Sequence, residues 1–168
     1  MRRAKGTLHV FTFKDGVLSA VAHDLRIRLE KFDITLEGSA VRAEFDLKSL
    51  FVDGPIENGV LRADQYDAGK RADVEKAMHN DVLRSSKYPT STFTGTATPQ
   101  GAGFQVSGEL ELCGKKAPLS FDVKNEADSY TAAFEFTPSQ WGVAQYKALL
   151  GAIRLKDVVR IEFTLKDA

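Results

Sequence analysis

The stretch "FQVSGELELCGKKAPLSFDV", Phe104–Val123, decides the fold class. Phe104, Val106, Gly108, Leu110 and Leu112 alternate with Gln105, Ser107, Glu109 and Glu111, and Ala117, Leu119, Phe121 and Val123 repeat the pattern after a short "CGKK" link. Successive side chains of a strand point to opposite faces, so each segment predicts a half-buried strand with one oily face. A link of hairpin length makes the pair antiparallel.

The same period runs outward in both directions. On the N-terminal side it gives Val41, Ala43, Phe45 and Leu47 within "TLEGSAVRAEFDL"; on the C-terminal side, Tyr130, Ala132, Phe134 and Phe136, then Val159, Ile161, Phe163 and Leu165. Turn-rich links, "TPQGAG" and "KNEADS", separate these segments. About eight such strands predict an all-β protein, an antiparallel sheet that closes on itself or packs on a second sheet. One helix is inserted, "DAGKRADVEKAMHNDVLRSS": Asp67 caps it, Val74, Ala77, Met78 and Val82 form its apolar stripe, and Pro89 bars continuation past Tyr88. The segments "KSLFVDGPIENGVLRADQY" and "TPSQWGVAQYKALLGAIRLKD" have no clean period and read as long connections over a barrel end. At 168 residues the chain is read as one domain, 1–168.

Charge argues against whole classes of function. Lysine plus arginine equals aspartate plus glutamate, 23 each, without a basic run, so nothing asks for nucleic acid. No apolar stretch reaches the roughly 20 residues of a membrane span, and "MRRAKGTLHVFTFKDG" lacks the apolar core of a secretory signal, so the expected location is cytoplasmic. Cys113 is the single cysteine, in a tight turn, and reads as an incidental turn residue. No nucleophile elbow, phosphate loop or metal-ligand spacing is present; no catalytic residue, metal or cofactor is assigned.

The histidines require a face-by-face argument. In "KDGVLSAVAHDLRIRLEKF", Lys14–Phe32, the Asp15-Gly16 pair predicts a two-residue turn. That turn sets Lys14 opposite Val17, Thr12 opposite Ser19, Val10 opposite Val21 and Leu8 opposite His23. His23 then shares the oily face with Leu8 and Val10, whereas His9 faces away with Phe11 and Phe13. A site joining the two histidines fails on geometry, and His23 with Asp24 is no dyad because strand neighbours point apart. His23 is left as a satisfied wall residue, a polar anchor for a ligand head group, or a base.

Small residues interrupt the oily faces: Gly95 and Ala97 beside Phe93, Gly108 between Val106 and Leu110, Ala132 beside Phe134. They either make room for a ligand or let facing phenylalanines interdigitate, and an eight-stranded barrel sits at the size where both occur.

The order of "VEKAMHNDVLRSSKYPTSTFTGT", "FQVSGELELCGKKAPLSFDV" and "WGVAQYKALLGAIRLKDVVRIEFTL", reaching back to "VAHDLRI", resembles the bacterial YceI-like family, lipocalin-like isoprenoid-binding proteins. The resemblance covers most of the chain. It implies an antiparallel lipocalin-like β-barrel with one inserted helix, whose apolar lumen takes the tail of a polyprenyl quinone or similar long-chain isoprenoid lipid; it supplies no catalytic motif. Members are usually exported, and no export signal is visible here. By alternation the lumen wall is Val21, His23, Leu25, Ile27, Phe45, Phe93, Phe104, Val106, Gly108, Leu110, Phe121, Phe134, Phe136, Ile161 and Phe163. Transient membrane contact and a homodimer are compatible with such a carrier. Two other readings stand beside it: a solid-core barrel that binds protein partners through the loops around Phe51–Tyr66 and Trp141–Leu150, and an enzyme acting on an apolar substrate with His23 as base.

Overall fold

A computed structural model describes residues 1–15, 23–148 and 153–168. Its strands are β1 (Arg2–Asp15), β2 (Asp24–Leu29), β3 (Phe32–Glu37), β4 (Ala40–Asp46), β5 (Leu50–Glu57), β6 (Val60–Leu61), β7 (Thr90–Gln100), β8 (Gly103–Leu112), β9 (Lys115–Glu126), β10 (Ser129–Phe136), β11 (Lys147–Ala148) and β12 (Ile153–Asp167). The helix α1 (Ala68–Ala77) lies between β6 and β7.

Hydrogen bonding runs β12-β10-β9-β8-β7-β4-β3-β1, and β1 pairs back onto β12, which closes an eight-stranded antiparallel barrel. Closure satisfies the strand edges that an open sheet would leave bare. The chain β2–β3 forms a long bent hairpin with β4–β5: β3 pairs with β4, and β2 pairs with β5 beyond it. Three two-residue turns lie at one end of the barrel, Gly38–Ser39, Gly101–Ala102 and Ala127–Asp128, where Gly38, Gly101 and Ala127 hold positive φ. The helix and the segment after β10 lie at the other.

At that second end, Asp67 caps α1 by accepting from the Lys70 N–H at 2.8 Å, as expected. The helix continues as a π-helical turn, Met78–Val82, which lays Met78, Val82 and Leu83 on the core.

Three expectations are corrected. First, β1 and β2 pair Thr12↔Leu25, Val10↔Ile27 and His9↔Arg28, six residues away from the register a two-residue turn would give. The turn itself, with Val17, Ser19 and Val21, lies outside the described residues. The non-local terms set the register: β2 is also laddered to β5, and Leu25, Ile27 and Leu29 are buried by it. Because six is even, each residue keeps its face.

Second, Leu50–Glu57 is a strand and not part of a connection. Its ladder to β2 shifts register between Arg26 and Ile27, leaving Asp53 as the extra residue of a β-bulge. A bulge flips the alternation halfway, which is why no period shows. Third, β12 begins at Ile153 and runs 15 residues, so the second aperiodic segment is largely strand at its end.

Candidate functional site

Alternation aims one residue set into the barrel from every strand. Cross-strand partners share a face, so Val10 meets Ile161, Leu8 meets Phe163, Phe134 meets Ile161, Val106 meets Phe121, and Phe93 meets Leu110, all inward. These side chains do not fill the barrel. They enclose a cavity of about 570 Å³ with an almost wholly apolar wall. That is the size range of small-molecule sites.

The cavity is lopsided. On the side of β7, β9, β10 and β12, Phe121 stacks on Phe134 with centroids 4.3 Å apart, meets Phe163 edge-on at 6.1 Å and tilts against Phe93 at 5.9 Å. On the side of β1, β3 and β4 the wall is Leu8, Val10, Ile34, Leu36, Val41, Ala43 and Phe45, with one aromatic ring among smaller groups.

Its two ends differ in chemistry. Toward the two-residue turns the wall ends in Arg2, Gly38, Ser39 and Pro99; Arg2 is the charged member, its side chain 59% exposed and 3.4 Å from Asp167. Toward the helix it ends in Leu47, Leu50, Met78, Val82, Leu83 and Val143. Trp141 is buried beside that end at 1% exposure, behind the cavity wall, donating its indole N–H to the Leu110 carbonyl at 2.7 Å and standing edge-on to Phe136 at 5.1 Å.

Polar bonds hold the helix in place. His79 lies 3.0 Å from the Leu50 carbonyl through Nε2 and 2.9 Å from Ser85 Oγ through Nδ1; a carbonyl can only accept, so the neutral ring carries its proton on Nε2. Glu75 accepts from the Val52 N–H at 2.9 Å, and Arg71 donates to the Asp53 carbonyl at 3.1 Å. On the barrel's outside the bulged Asp53 takes Arg26 Nε at 2.8 Å and Arg28 Nη1 at 2.9 Å, with His9 Nε2 at 3.8 Å. Burial and the Arg26 charge push the His9 pKa down, against the pull of Asp53.

The expected wall residues divide as follows. Ile27, Phe45, Phe93, Phe104, Val106, Leu110, Phe121, Phe134, Phe136, Ile161 and Phe163 line the cavity. Val21 lies outside the described residues. Leu25 is buried between Thr12 and Pro55 but off the cavity wall. His23 is also off it: the register places it beyond the last β1–β2 pair, with its ring edge-on to Tyr66 at 6.1 Å. Among the described residues it makes no hydrogen bond to a carboxylate.

Gly108 is off the wall for a different reason. It pairs with Gly95, and a Cβ on Gly108 would meet Thr94 O at 2.2 Å, Gly95 Cα at 2.6 Å and Phe93 Cζ at 2.8 Å. The Phe93 ring covers both glycines, so this gap houses a phenylalanine and not a ligand. Sequence reasoning missed Arg2, Ser39 and the helix-end residues Leu50 and Val143, because rim and plug positions carry no period.

Cys113 sits in the β8–β9 turn with φ 50°, followed by Gly114 at φ 78°, the positive pair a two-residue hairpin demands. Its thiol donates to the Leu83 carbonyl at 3.3 Å, and burial pushes its pKa up, opposite to what a reactive thiol requires. No group of metal-ligating side chains occurs among the described residues, and no described helix is long and apolar enough to cross a membrane.

Comparison with known proteins now bears on this geometry. The YceI-like domain matches residues 6–166. The chain belongs to the YceI-like family. Solved structures share its fold at low identity. BcnA of Burkholderia cenocepacia aligns over 94% of both chains with a TM-score of 0.61 and 17% identity. A polyisoprenoid-binding domain from Saccharophagus degradans, described as implicated in plant cell wall breakdown, aligns over 99% of this chain and 98% of its own, TM-score 0.62, 12% identity. The Campylobacter jejuni YceI protein aligns over 84% of each, TM-score 0.59, 11% identity. No curated protein gives a match. These likenesses establish the lipocalin-like barrel for this YceI-like chain.

Proposed function

We propose that this YceI-like protein is a non-enzymatic carrier or reservoir for an isoprenoid amphiphile, held with its tail in the barrel lumen. The observation that carries this reading is the continuous apolar cavity of about 570 Å³, running from Arg2 and Ser39 at the turn end to Met78 and Val82 beneath the helix. A solid core would have left no such space. The polyisoprenoid-binding description of the Saccharophagus degradans domain supports the same class of ligand.

The energetics favour exchange over trapping. Burying a tail is worth roughly 0.8 kcal/mol per CH2 relative to water, on the order of 16 kcal/mol for about twenty carbons before binding costs. A bilayer offers the same apolar refuge, so the protein competes only through fit and head-group contacts, and lipid can pass between protein and membrane.

Organic extraction of the purified protein followed by mass spectrometry tests the reading. A stoichiometric prenyl lipid, and a raised thermal midpoint when a prenyl quinone is added, are the expected results. Empty extracts together with no thermal protection would overturn it.

A further inference from the structure

Taking the barrel as a lipid carrier, we infer that the segment Ala68–Leu83 is a lid, latched to the edge of β5 by Arg71, Glu75 and His79, and that ligand exchanges where it lifts. The latch sets how fast ligand passes, not how tightly it is held.

Two stripes run along this segment. Val74, Met78 and Val82, four residues apart, pack on the barrel core, and Met78 and Val82, with Leu83, line the cavity. Arg71, Glu75 and His79, also four apart, reach the edge of β5. Strand β6 pairs with β5 only at Ile56 and Glu57, so among the described residues Leu50–Asp53 has no strand on that side. Three side chains take its place: Arg71 Nη2 donates to the Asp53 carbonyl at 3.1 Å, Glu75 accepts from the Val52 N–H at 2.9 Å, and His79 Nε2 donates to the Leu50 carbonyl at 3.0 Å. A helix covers the strand edge. Among the described residues, no backbone–backbone hydrogen bond ties Ala68–Leu83 to a strand. The Cys113 thiol, donating to the Leu83 carbonyl at 3.3 Å, is a further tie at the segment's end.

Relative costs single out this part of the wall. Parting a barrel strand breaks backbone ladders on both its sides. Lifting Ala68–Leu83 breaks three side-chain bonds to β5 and leaves the Leu50 and Asp53 carbonyls and the Val52 N–H to water. No residue of the segment is fully buried, which puts its opening at the low end of local stability. Its C-terminal boundary is strained: Met78–Val82 is a π-helical turn, and Arg84 holds φ 48°, a left-handed conformation unusual for so large a side chain. Beyond Arg84 the chain is fixed again. The Arg84 carbonyl accepts from the N–H groups of Lys87 and Tyr88, both at 2.9 Å, and the Pro89 carbonyl accepts from the Leu47 N–H at 2.8 Å. A strained residue between a loosely held segment and a firmly held one is suited to act as a hinge. When the lid lifts, Met78, Val82 and Leu83 leave the wall and the cavity is reached from the helix end.

The test measures rates beside affinity in the intact protein. N-phenyl-1-naphthylamine, a small uncharged dye that brightens in an apolar site, is bound and released in stopped flow, and displaced with farnesol at equilibrium. Arg71, Glu75 and His79 lie off the cavity wall, so loosening the latch should speed association and dissociation alike and leave affinity within about twofold. One hydrogen bond is worth roughly fivefold. Glu75→Ala should therefore speed both rates about fivefold, and Glu75→Ala combined with Arg71→Met at least about tenfold. Glu75→Gln, which keeps an acceptor for the Val52 N–H, should restore the slow rates. Ser120→Ala, which removes a 3.0 Å bond to Ser107 on the outer face of the barrel, should change neither rate. In the wild-type protein, hydrogen exchange should find the amides of α1 opening faster than those of β8.

Unchanged rates in both latch variants, with the dye still bound, would overturn the lid and leave the carrier reading standing. Weaker affinity at an unchanged association rate would also overturn it, since the three residues would then shape the site and not gate it. Glu75→Gln as fast as Glu75→Ala, equal acceleration in Ser120→Ala, or equal protection of α1 and β8 would each do the same. Failure of both dye and farnesol to bind the wild-type protein would overturn the carrier reading and the lid together.

Discussion

At the turn end, Gly38–Ser39, Gly101–Ala102 and Ala127–Asp128 each reverse the chain in two residues, so these connections add little chain beyond the wall. At the helix end, the chain between β6 and β7 and the segment after β10 contribute α1, the π-helical turn and the buried Trp141, which pack against the core there. The same eight strands make the barrel wall at both ends. What differs is the spare chain available to plug it, and the polar bonds that hold the plug: His79 to Leu50, Glu75 to Val52, Arg71 to Asp53. Unequal connections give the one barrel two chemically different ends.

The comparison breaks most sharply at Trp141. Trp141→Ala removes the largest fully buried side chain and its bond to Leu110, and should lower stability by about 3–5 kcal/mol in urea unfolding. A loss below about 1 kcal/mol, the scale expected for an exposed rim residue such as Arg2, would mean that the two ends are held alike.

Between the ends, Gly108 tests whether the wall has slack. Gly108→Leu drives a side chain into the Thr94 carbonyl and the Phe93 ring, and should cost about 3 kcal/mol, at the upper end of overpacking. A thermal midpoint unchanged from wild type, with lipid displaced, would instead mean that Gly108 faces open lumen.

His79→Ala sharpens the contrast at the plug. It strips a donor from the Leu50 carbonyl and a partner from Ser85, an expected loss of about 1–3 kcal/mol. In native-state hydrogen exchange the faster amides should lie in α1 and β5, and acceleration in β7–β8 near Gly101 would contradict a local role.

The smallest effect is pH-dependent. Burial and Arg26 depress the His9 pKa below its ordinary 6.5, with Arg28 acting the same way and Asp53 and Glu162 opposing. As pH falls through 6.5 the unfolded chain takes up a proton that the folded protein resists, so stability declines with acid; above 6.5 this contribution is constant. His9→Gln should flatten that part of the stability–pH curve, and an unchanged slope would remove His9 from the account.

How much was legible varies residue by residue. Phe104, Val106 and Leu110 on β8, Phe134 and Phe136 on β10, and Ile161 and Phe163 on β12 were readable as one inward face, because alternation is a property of the strand itself. The helix and its Asp67 cap were readable for the same local reason. The partner of each strand was not. Asp15-Gly16 is a good local turn signal, yet β2 obeyed its second neighbour, β5, and His23 left the wall with that register. Strand β5 itself was hidden by the bulge at Asp53.

By itself, then, the sequence determined which side of most strands is oily, where the helix starts and where the turns around Gly101, Gly114 and Ala127 fall, since each depends on residues a few positions apart; the Gly38–Ser39 turn, inside a stretch read as one strand, was not among them. Only the tertiary structure decided that β1 closes on β12, that Phe93 occupies the hollow over Gly95 and Gly108, and that a cavity remains beside Leu8, Val10 and Ala43. A cavity is the volume left over when side chains from eight strands meet. No one segment carries that difference, so it exists only once register and closure have brought all of them together.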